Sequence, residues 1–236
     1  MLNENMRLTV HRKDTFEYFC IDDFIRPDIY RELAESFPLA GFSSLASVGN
    51  KYRIVDTDET SDAFRQLIET HPAWRDFYAF SGTSGILTEV DMRVPFLTEI
   101  EIFGRKNFEL SALPADGGSI FPHPDGSSKV ITYVIYMPTA EWDEAWGGGM
   151  LCHRHKSAPD ADFSAITPGD ILWEDVDTLF EATYVPNRLV SFKRTNNSLH
   201  SVAPIKGPAG VLRTSITIPF QGRFRSPDEI AGTPLN

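Results

Sequence analysis

Hydrophobic residues recur at helical spacing through the first third of the chain. Pro27 suits the first turn of a helix, and the predicted helix behind it carries an apolar stripe formed by Ile29, Tyr30, Leu33, Ala34 and Phe37. A second helix is predicted after Thr60 or Ser61, either of which could cap it, and a third helical segment of a turn or two follows. Their apolar stripes are formed by Phe64, Leu67 and Ile68 and by Trp74, Phe77 and Tyr78. We expect these stripes to pack against a sheet.

From about residue 96 onward the pattern changes to short alternating segments separated by glycine, proline and aspartate. The predicted strands are 107–113, 119–121, 130–137, 150–153, 171–173, 188–193 and 212–220, with an earlier strand over 16–21. The irregular composition of residues 156–186 indicates a loop-rich excursion. Many short strands with turn residues between them favour a β-sandwich or barrel, and a double-sheet jelly roll is a good candidate.

Together these elements predict a mainly β protein with N-terminal helices, an α+β arrangement. Residues 1–95 would form a helical buttress and residues 96–222 the β core. Because no linker separates the two parts and 236 residues suffice for one sizeable core, we expect a single domain over residues 1–236.

The chain is acidic, with 22 basic and 33 acidic residues and a formal net charge of −11. This charge argues against a nucleic-acid partner, whose phosphate backbone it would repel. No segment approaches the roughly 20 apolar residues of a membrane span, and no secretory signal is visible at the N-terminus. Cys20 and Cys152 are too few for a disulfide framework, so free thiols in a reducing cytoplasm are expected.

The candidate chemistry centres on His123, Asp125 and the distant His200. In an extended backbone His123 and Asp125 point the same way. Two imidazoles and one carboxylate on one face of a metal suit a non-haem Fe(II) centre that uses oxygen. Alternatively, His123 and Asp125 stabilise a turn and His200 is an unrelated surface residue. The metal interpretation is favoured because a strand, a glycine run at 147–149 and an arginine-bearing strand follow in order.

Arg213 lies on a predicted core strand, where an arginine is costly to bury unless it meets an anion. A guanidinium suits a carboxylate, and a dicarboxylate co-substrate would supply one. Ser215 shares the face of Arg213 and could add a hydroxyl. Taken alone, a plain salt bridge to one of the many acidic residues explains Arg213 better.

Several motifs occur in one order: His123-x-Asp125, the strand 129–136, Trp142-Asp143 before the glycine run, the strand 189–192, His200-Ser201-Val202 and Arg213-x-Ser215. In this order the sequence resembles the Fe(II)/2-oxoglutarate-dependent dioxygenases, specifically their prolyl-4-hydroxylase-like branch. The resemblance covers roughly residues 107–220, and the first hundred residues match only in general style.

The resemblance implies a double-stranded β-helix core, the cupin-like form of the jelly roll. It implies that His123, Asp125 and His200 are the catalytic ligands of Fe(II). It also implies that 2-oxoglutarate chelates this iron and places its far carboxylate on Arg213, with O2 as the second co-substrate.

Thr132 and Tyr136 match positions that often face the co-substrate in that branch. They are four residues apart on one strand and so share a face, with ordinary strand roles as the alternative. The resemblance further implies hydroxylation of an unactivated C–H bond, with decarboxylation of 2-oxoglutarate to succinate. Related halogenases lack the carboxylate that Asp125 supplies, whereas desaturation and epimerisation use the same ligands and stay open.

The substrate is expected to be a small molecule such as an amino acid, a sugar or a tailoring intermediate. A prolyl-type protein or peptidyl hydroxylase is the main alternative, and a non-catalytic cupin-like metal-binding module is the other. The oligomeric state is open, with a homodimer among the possibilities.

Residues that contact the substrate are expected in the loops at a jelly-roll mouth, namely 41–55, the loop-rich excursion and 194–197. Arg194, Asn197 and Trp146 are the individual candidates. His153 and His155 also form an H-x-H pair on a strand, but no third ligand follows at convincing spacing. We interpret them as a solvated pair at a strand end, with substrate contact as the lesser alternative.

Overall fold

The computed structural model describes residues 1–45 and 49–231. Its helices are α1 (Pro27–Glu35), α2 (Ser61–Thr70), α3 (Pro72–Ser81), α4 (Ser84–Asp91) and α5 (Pro227–Ala231). Within these ranges no helix combines the length and the apolar character needed to cross a membrane. The strands are β1 (Arg7–Lys13), β2 (Glu17–Asp22), β3 (Ser43–Leu45), β4 (Lys51–Val55), β5 (Ile100–Arg105), β6 (Glu109–Pro114), β7 (Ile120–His123), β8 (Lys129–Tyr136), β9 (Met150–His155), β10 (Val176–Ala182), β11 (Leu189–Lys193), β12 (His200–Val202) and β13 (Leu212–Phe224).

Antiparallel pairing joins these described strands into two sheets, so the protein is mostly β. The larger sheet has nine strands, in the order β1-β2-β11-β8-β13-β6-β4-β3, with β5 paired to one end of β13. The smaller sheet has four strands in the order β10-β9-β12-β7. Strand β13 pairs with β8, β6 and β5, and it therefore organises the centre of the larger sheet.

The two faces of the larger sheet have different partners, as strand β8 illustrates. Its residues Ile131, Tyr133 and Ile135 lie in the main hydrophobic core, which also contains Trp74 and Phe77 of α3. The alternate residues point to the opposite face, where Tyr136 packs in a second apolar cluster with Met150 and Cys152 of the smaller sheet. Helices therefore cover one face of the larger sheet, and the smaller sheet covers part of the other.

Helices α1, α2 and α3 occupy the segments in which the apolar stripes predict helices. The side chain of Thr60, however, does not cap α2. Its Oγ1 accepts a hydrogen bond from the Val55 amide at 2.7 Å and donates one to Oδ1 of Asp58 at 2.6 Å. The hydroxyl therefore ties the end of β4 to the start of α2, which takes it away from the helical N–H groups.

The predicted strand over 171–173 is wrong, because Trp173–Asp175 forms a short 3-10 turn. A strand, β10, begins directly afterwards, inside the segment that we interpreted as a loop-rich excursion. The pattern misled because β10 is an edge strand of the smaller sheet and exposes several of its side chains. An exposed edge strand needs few apolar residues, so its composition is close to that of a loop. The exposed edge strand β1 was missed for the same reason.

Candidate metal centre and its cavity

Strands β7 and β12 of the smaller sheet bring two histidines together. His123, at the end of β7, lies opposite His200, at the start of β12, and their ring centroids are 4.5 Å apart. Asp125 follows two residues after His123 and is buried. One potential ligand atom from each of the three residues lies within 4.8 Å of the other two. The structure therefore gathers the three sequence candidates into one cluster.

A backbone carbonyl fixes the orientation of each imidazole. Nδ1 of His123 donates to the carbonyl oxygen of Phe121 at 2.7 Å, and Nδ1 of His200 donates to that of Ser198 at 3.1 Å. Each bond holds the ring proton on Nδ1 and leaves the lone pair of Nε2 for a metal. Burial lowers the pKa of both histidines, to about 3 for His200. Both imidazoles are therefore neutral at neutral pH and can offer Nε2 as a metal ligand.

Both carboxylate oxygens of Asp125 have a partner. Nζ of Lys129 lies 2.5 Å from Oδ1, and Oγ1 of Thr132 donates to Oδ2 at 2.6 Å. Burial alone raises the pKa of Asp125, but the charge of Lys129 and these hydrogen bonds bring it well below its ordinary value. Asp125 is therefore ionised, and its two oxygens are held in a fixed orientation.

Two neutral imidazole nitrogens and one ionised carboxylate on one side of a cavity fit a divalent iron with open coordination positions. The donor atoms belong to buried or half-buried residues whose own hydrogen bonds already fix their orientation. The residues present therefore fit the metal that the sequence suggests.

Arg213 lies on β13 and is buried. Its Nε donates to the carbonyl oxygen of Gly148 at 2.8 Å, and its Nη1 donates to Oγ of Ser215 at 3.0 Å. Its guanidinium carbon lies 5.1 Å from the ring centre of Tyr136 and 4.8 Å from that of Tyr184. No acidic side chain in the described part of the chain forms an ion pair with it. A buried guanidinium without an acid is suited to an anionic ligand.

Gly148 is the member of the glycine run that this arrangement requires. Its backbone has φ +90°, and a Cβ there would lie 3.0 Å from the ring of Trp142 and 3.3 Å from Cγ of Arg213. Only glycine gives this carbonyl its position at the guanidinium without strain.

A cavity of about 440 Å³ connects the two features. The three candidate ligands, Arg213 and Ser215 all line it. Thr132 lines the cavity as well, but its hydroxyl is engaged by Asp125. Tyr136 is not among the lining residues: its hydroxyl donates to the Ala182 carbonyl and accepts from the Met150 amide.

The structure places all three individual substrate candidates outside the cavity lining. Arg194 donates from Nε to the backbone oxygen of Asp125 and from Nη1 to Asn196. The amide of Asn197 donates to the backbone of Pro159. The indole of Trp146 packs against Gly207 and the ring of Trp142. These side chains therefore support the surrounding loops.

Two of the predicted loop segments do contribute to the lining. Leu45, Lys51 and Arg53 come from the segment 41–55, whose residues 46–48 lie outside the described ranges. Ser164 and Ile166 come from the loop-rich excursion. Sequence reasoning missed Lys51 and Arg53 as individual residues. The sequence feature that could have identified them is two cationic residues, two positions apart as on one face of a strand, in a short polar segment.

The prediction that His153 and His155 form a solvated pair is wrong for His153. His153 is fully buried, with Nε2 2.6 Å from Oγ of Ser201 and Nδ1 3.3 Å from Oγ1 of Thr178. His155 stacks on the ring of Phe163. Burial lowers the pKa of His153 to about 4, which makes it a neutral, hydrogen-bonded core residue. The sequence correctly placed His153 on a strand, but it did not show that the smaller sheet buries this side chain.

Comparison with known proteins extends the description of the fold. No family model and no curated protein matches the sequence. Among solved structures, a prolyl hydroxylase from Trichoplax adhaerens, in complex with a hypoxia inducible factor peptide fragment, is similar at 14% identity and a TM-score of 0.52. The similarity covers 92% of this chain and 87% of that one. A prolyl 4-hydroxylase from Phytophthora capsici is similar at 18% identity and a TM-score of 0.54. There the similarity covers 87% of this chain but 58% of the other.

The chain therefore has the fold of the prolyl hydroxylases, as the resemblance of its sequence motifs implied. On that fold it carries two histidines and an aspartate clustered beside a cavity, together with a buried arginine.

Proposed function

We propose that this protein is an Fe(II)- and 2-oxoglutarate-dependent oxygenase that hydroxylates an unactivated C–H bond of a small molecule. The observation that carries the proposal is the cluster of His123, Asp125 and His200 in one cavity with the guanidinium of Arg213, which pairs with no acid among the described residues. The fold shared with prolyl hydroxylases supports the class, and the two facing sheets are consistent with a double-stranded β-helix core in a single domain.

In this proposal Nε2 of each histidine and one oxygen of Asp125 would hold the iron. Bound iron would supply the activation of O2, coupled to decarboxylation of 2-oxoglutarate to succinate and insertion of one oxygen atom into the substrate. The chain's own contribution is positioning. The backbone carbonyls hold the imidazoles, and Thr132 and Lys129 hold the carboxylate.

Arg213 would bind the far carboxylate of 2-oxoglutarate, with the hydroxyl of Ser215 beside it. Gly148 and Ser215 orient the guanidinium, and the rings of Tyr136 and Tyr184 lie against it. Tyr136 would therefore support the arginine, and Thr132 the metal carboxylate. Neither would need to touch the co-substrate.

A peptidyl hydroxylase is the second candidate, because the similar Trichoplax enzyme is described in complex with a peptide. The cavity of about 440 Å³ is within the size range of small-molecule sites, and a small molecule stays the first candidate substrate. A cupin-like protein that binds metal without turnover is the third alternative.

The test is anaerobic loading with Fe(II) and then 2-oxoglutarate, followed by visible absorption of the iron chelate. His123→Ala and His200→Ala should abolish the absorption band. The variant Arg213→Gln should need a much higher concentration of 2-oxoglutarate to give the same absorption band. His71→Ala is the matched control, because His71 is an exposed histidine away from the cavity, and it should behave like the parent. A metal-loaded parent without the band would contradict the oxygenase proposal and favour the metal-binding module.

A further inference from the structure

The cavity is cationic in an otherwise acidic chain. Among the described residues, the cations that line it are Lys51, Arg53, Lys106, Lys129 and Arg213, and the acids are Glu109 and Asp125. The whole sequence has the opposite balance, with 22 basic and 33 acidic residues. A cleft lined by one sign of charge concentrates ions of the opposite sign. The excess of positive side chains in the cavity therefore favours the binding of anions.

The proposed metal and co-substrate do not use up this surplus. A divalent iron and a doubly charged 2-oxoglutarate add equal and opposite charges, and the co-substrate is assigned to Arg213. Lys129 is matched by Asp125, 2.5 Å away. Lys51 and Arg53 of strand β4 also have acid partners, Glu109 and Asp58, but both side chains keep N–H donors beyond those contacts.

Strand pairing separates Lys51 and Arg53 from the Arg213 site. Arg53 lies opposite Ser111 of β6, and Ser111 lies opposite Ser215 of β13. Adjacent strands are roughly 4.8 Å apart, and β6 lies between β4 and β13. Strand β4 therefore lies about 10 Å from β13 along the sheet wall of the cavity. Residues two apart on a strand share a face, which places Lys51 beside Arg53.

The bonding of Arg53 is incomplete. Its Nη2 lies 3.0 Å from Oδ2 of Asp58, but its Nε is buried and has no hydrogen-bond partner among the described residues. Nζ of Lys51 lies 2.5 Å from Oε1 of Glu109. A guanidinium has five N–H donors and an ammonium three, so both side chains keep donors for a ligand oxygen in the cavity that they line.

We infer that the substrate carries an anionic group, a carboxylate or a phosphate, which binds to Arg53 and Lys51. This inference rests on the proposed function and defines the substrate class for it. The anionic group accepts hydrogen bonds from the guanidinium of Arg53 and lies about 10 Å from the strand that holds the co-substrate carboxylate. Glu109 holds Lys51 in place beside it.

Acetate and sulfate are suitable probes, since neither requires knowledge of the rest of the substrate. The protein is loaded with Mn(II), an inert paramagnetic substitute for iron, and with saturating 2-oxoglutarate. Nuclear magnetic relaxation of the acetate methyl protons then reports binding near the metal, and neutral acetamide of the same size is the reference. We expect strong relaxation of acetate and little of acetamide. Displacement of acetate by less than equimolar sulfate indicates a phosphate-type group, and weaker displacement indicates a carboxylate.

Two variants separate the proposed site from direct binding of acetate to the metal. Arg53→Gln and Lys51→Gln should each weaken acetate binding at least about fivefold, since each removes a charged donor. Arg75→Gln, which changes an exposed arginine on α3, should leave it unchanged. Binding that persists in Arg53→Gln would place acetate on the metal and overturn the inference. Equal relaxation of acetate and acetamide in the parent would overturn it without any variant.

Failure of the proposed function has a different signature. In that case Mn(II) fails to bind or 2-oxoglutarate fails to bind the Mn(II)-loaded parent. If both bind normally and acetate shows no specific relaxation, only the inference about the substrate is wrong.

Discussion

Oγ1 of Thr132 donates a 2.6 Å hydrogen bond to Oδ2 of Asp125, across the turn that joins β7 to β8. The other oxygen, Oδ1, is held by Lys129. The carboxylate is therefore oriented by strand β8, although Asp125 itself lies outside any strand. In the proposed function this hydrogen bond would fix the geometry of the carboxylate before a metal binds.

Thr132→Val should weaken Mn(II) binding about tenfold, because it keeps the shape of the side chain but removes the donor to Asp125. Thr132→Ser keeps the hydroxyl and should bind the metal nearly as well as the parent. Metal titration monitored by electron paramagnetic resonance measures both affinities. Equal affinities of the valine and serine variants would show that the hydrogen bond does not orient the ligand.

Arg213→Lys should weaken binding of 2-oxoglutarate about tenfold, since a lysine keeps the charge but cannot donate to Gly148, Ser215 and a carboxylate with one rigid fork. Arg213→Gln should weaken it further. The dissociation constant is measured by titrating the Mn(II)-loaded protein with 2-oxoglutarate. Full affinity in the lysine variant would mean that charge alone matters at this position.

Tyr184→Phe should destabilise the fold by about 1 to 3 kcal/mol. The buried hydroxyl donates to the carbonyl oxygen of Thr214 at 2.6 Å and accepts from its amide at 2.8 Å. Its removal takes this partner from the Thr214 amide, whereas the carbonyl oxygen still accepts from the Met137 amide at 3.1 Å. Urea unfolding measures the change in the free energy of unfolding. Tyr52→Phe is the control, because Tyr52 is exposed and its loss should have little effect. Similar stabilities of the two variants would contradict this role for Tyr184.

Glu17 should contribute stability that disappears in acid. Burial alone raises the pKa of Glu17, but hydrogen bonds from Lys193 and His11 and the charges of Lys193 and Lys13 lower it below the ordinary 4.5. A carboxyl whose pKa is lower in the folded state stabilises the fold above its unfolded pKa, and this contribution is lost as pH falls below about 4.5. The parent should therefore lose stability in this range faster than Glu17→Gln.

Urea unfolding between about pH 6 and about pH 3.5 provides the measurement, with Glu59→Gln as a control at an exposed position. The control should follow the parent over the whole range. Parallel curves for the parent and Glu17→Gln would show that the ion pairs around Glu17 do not respond to acid.

The strands that sequence predicts well are those buried in the middle of the sheets. Strands β8, β11 and β13 have apolar residues that their neighbours bury on both faces, so their patterns are clear. Edge strands such as β1 and β10 expose much of their surface, and their composition gives little signal. The helix α4 was missed although it buries Ile86, Leu87 and Val90, because its eight residues offer only two turns of pattern.

By itself the sequence determined the candidate donor set. The spacing of His123 and Asp125 and the order of the following motifs can both be read directly from the sequence. It also determined the face on which Arg213 and Ser215 lie. Only the tertiary structure decided that Thr132 serves the carboxylate, that Arg194 and Asn197 lie outside the cavity, and that Arg53 lies inside it. The physical reason is that strand periodicity fixes the direction of a side chain. The side chains that it meets depend on which distant strands pair, and this pairing is a property of the whole fold.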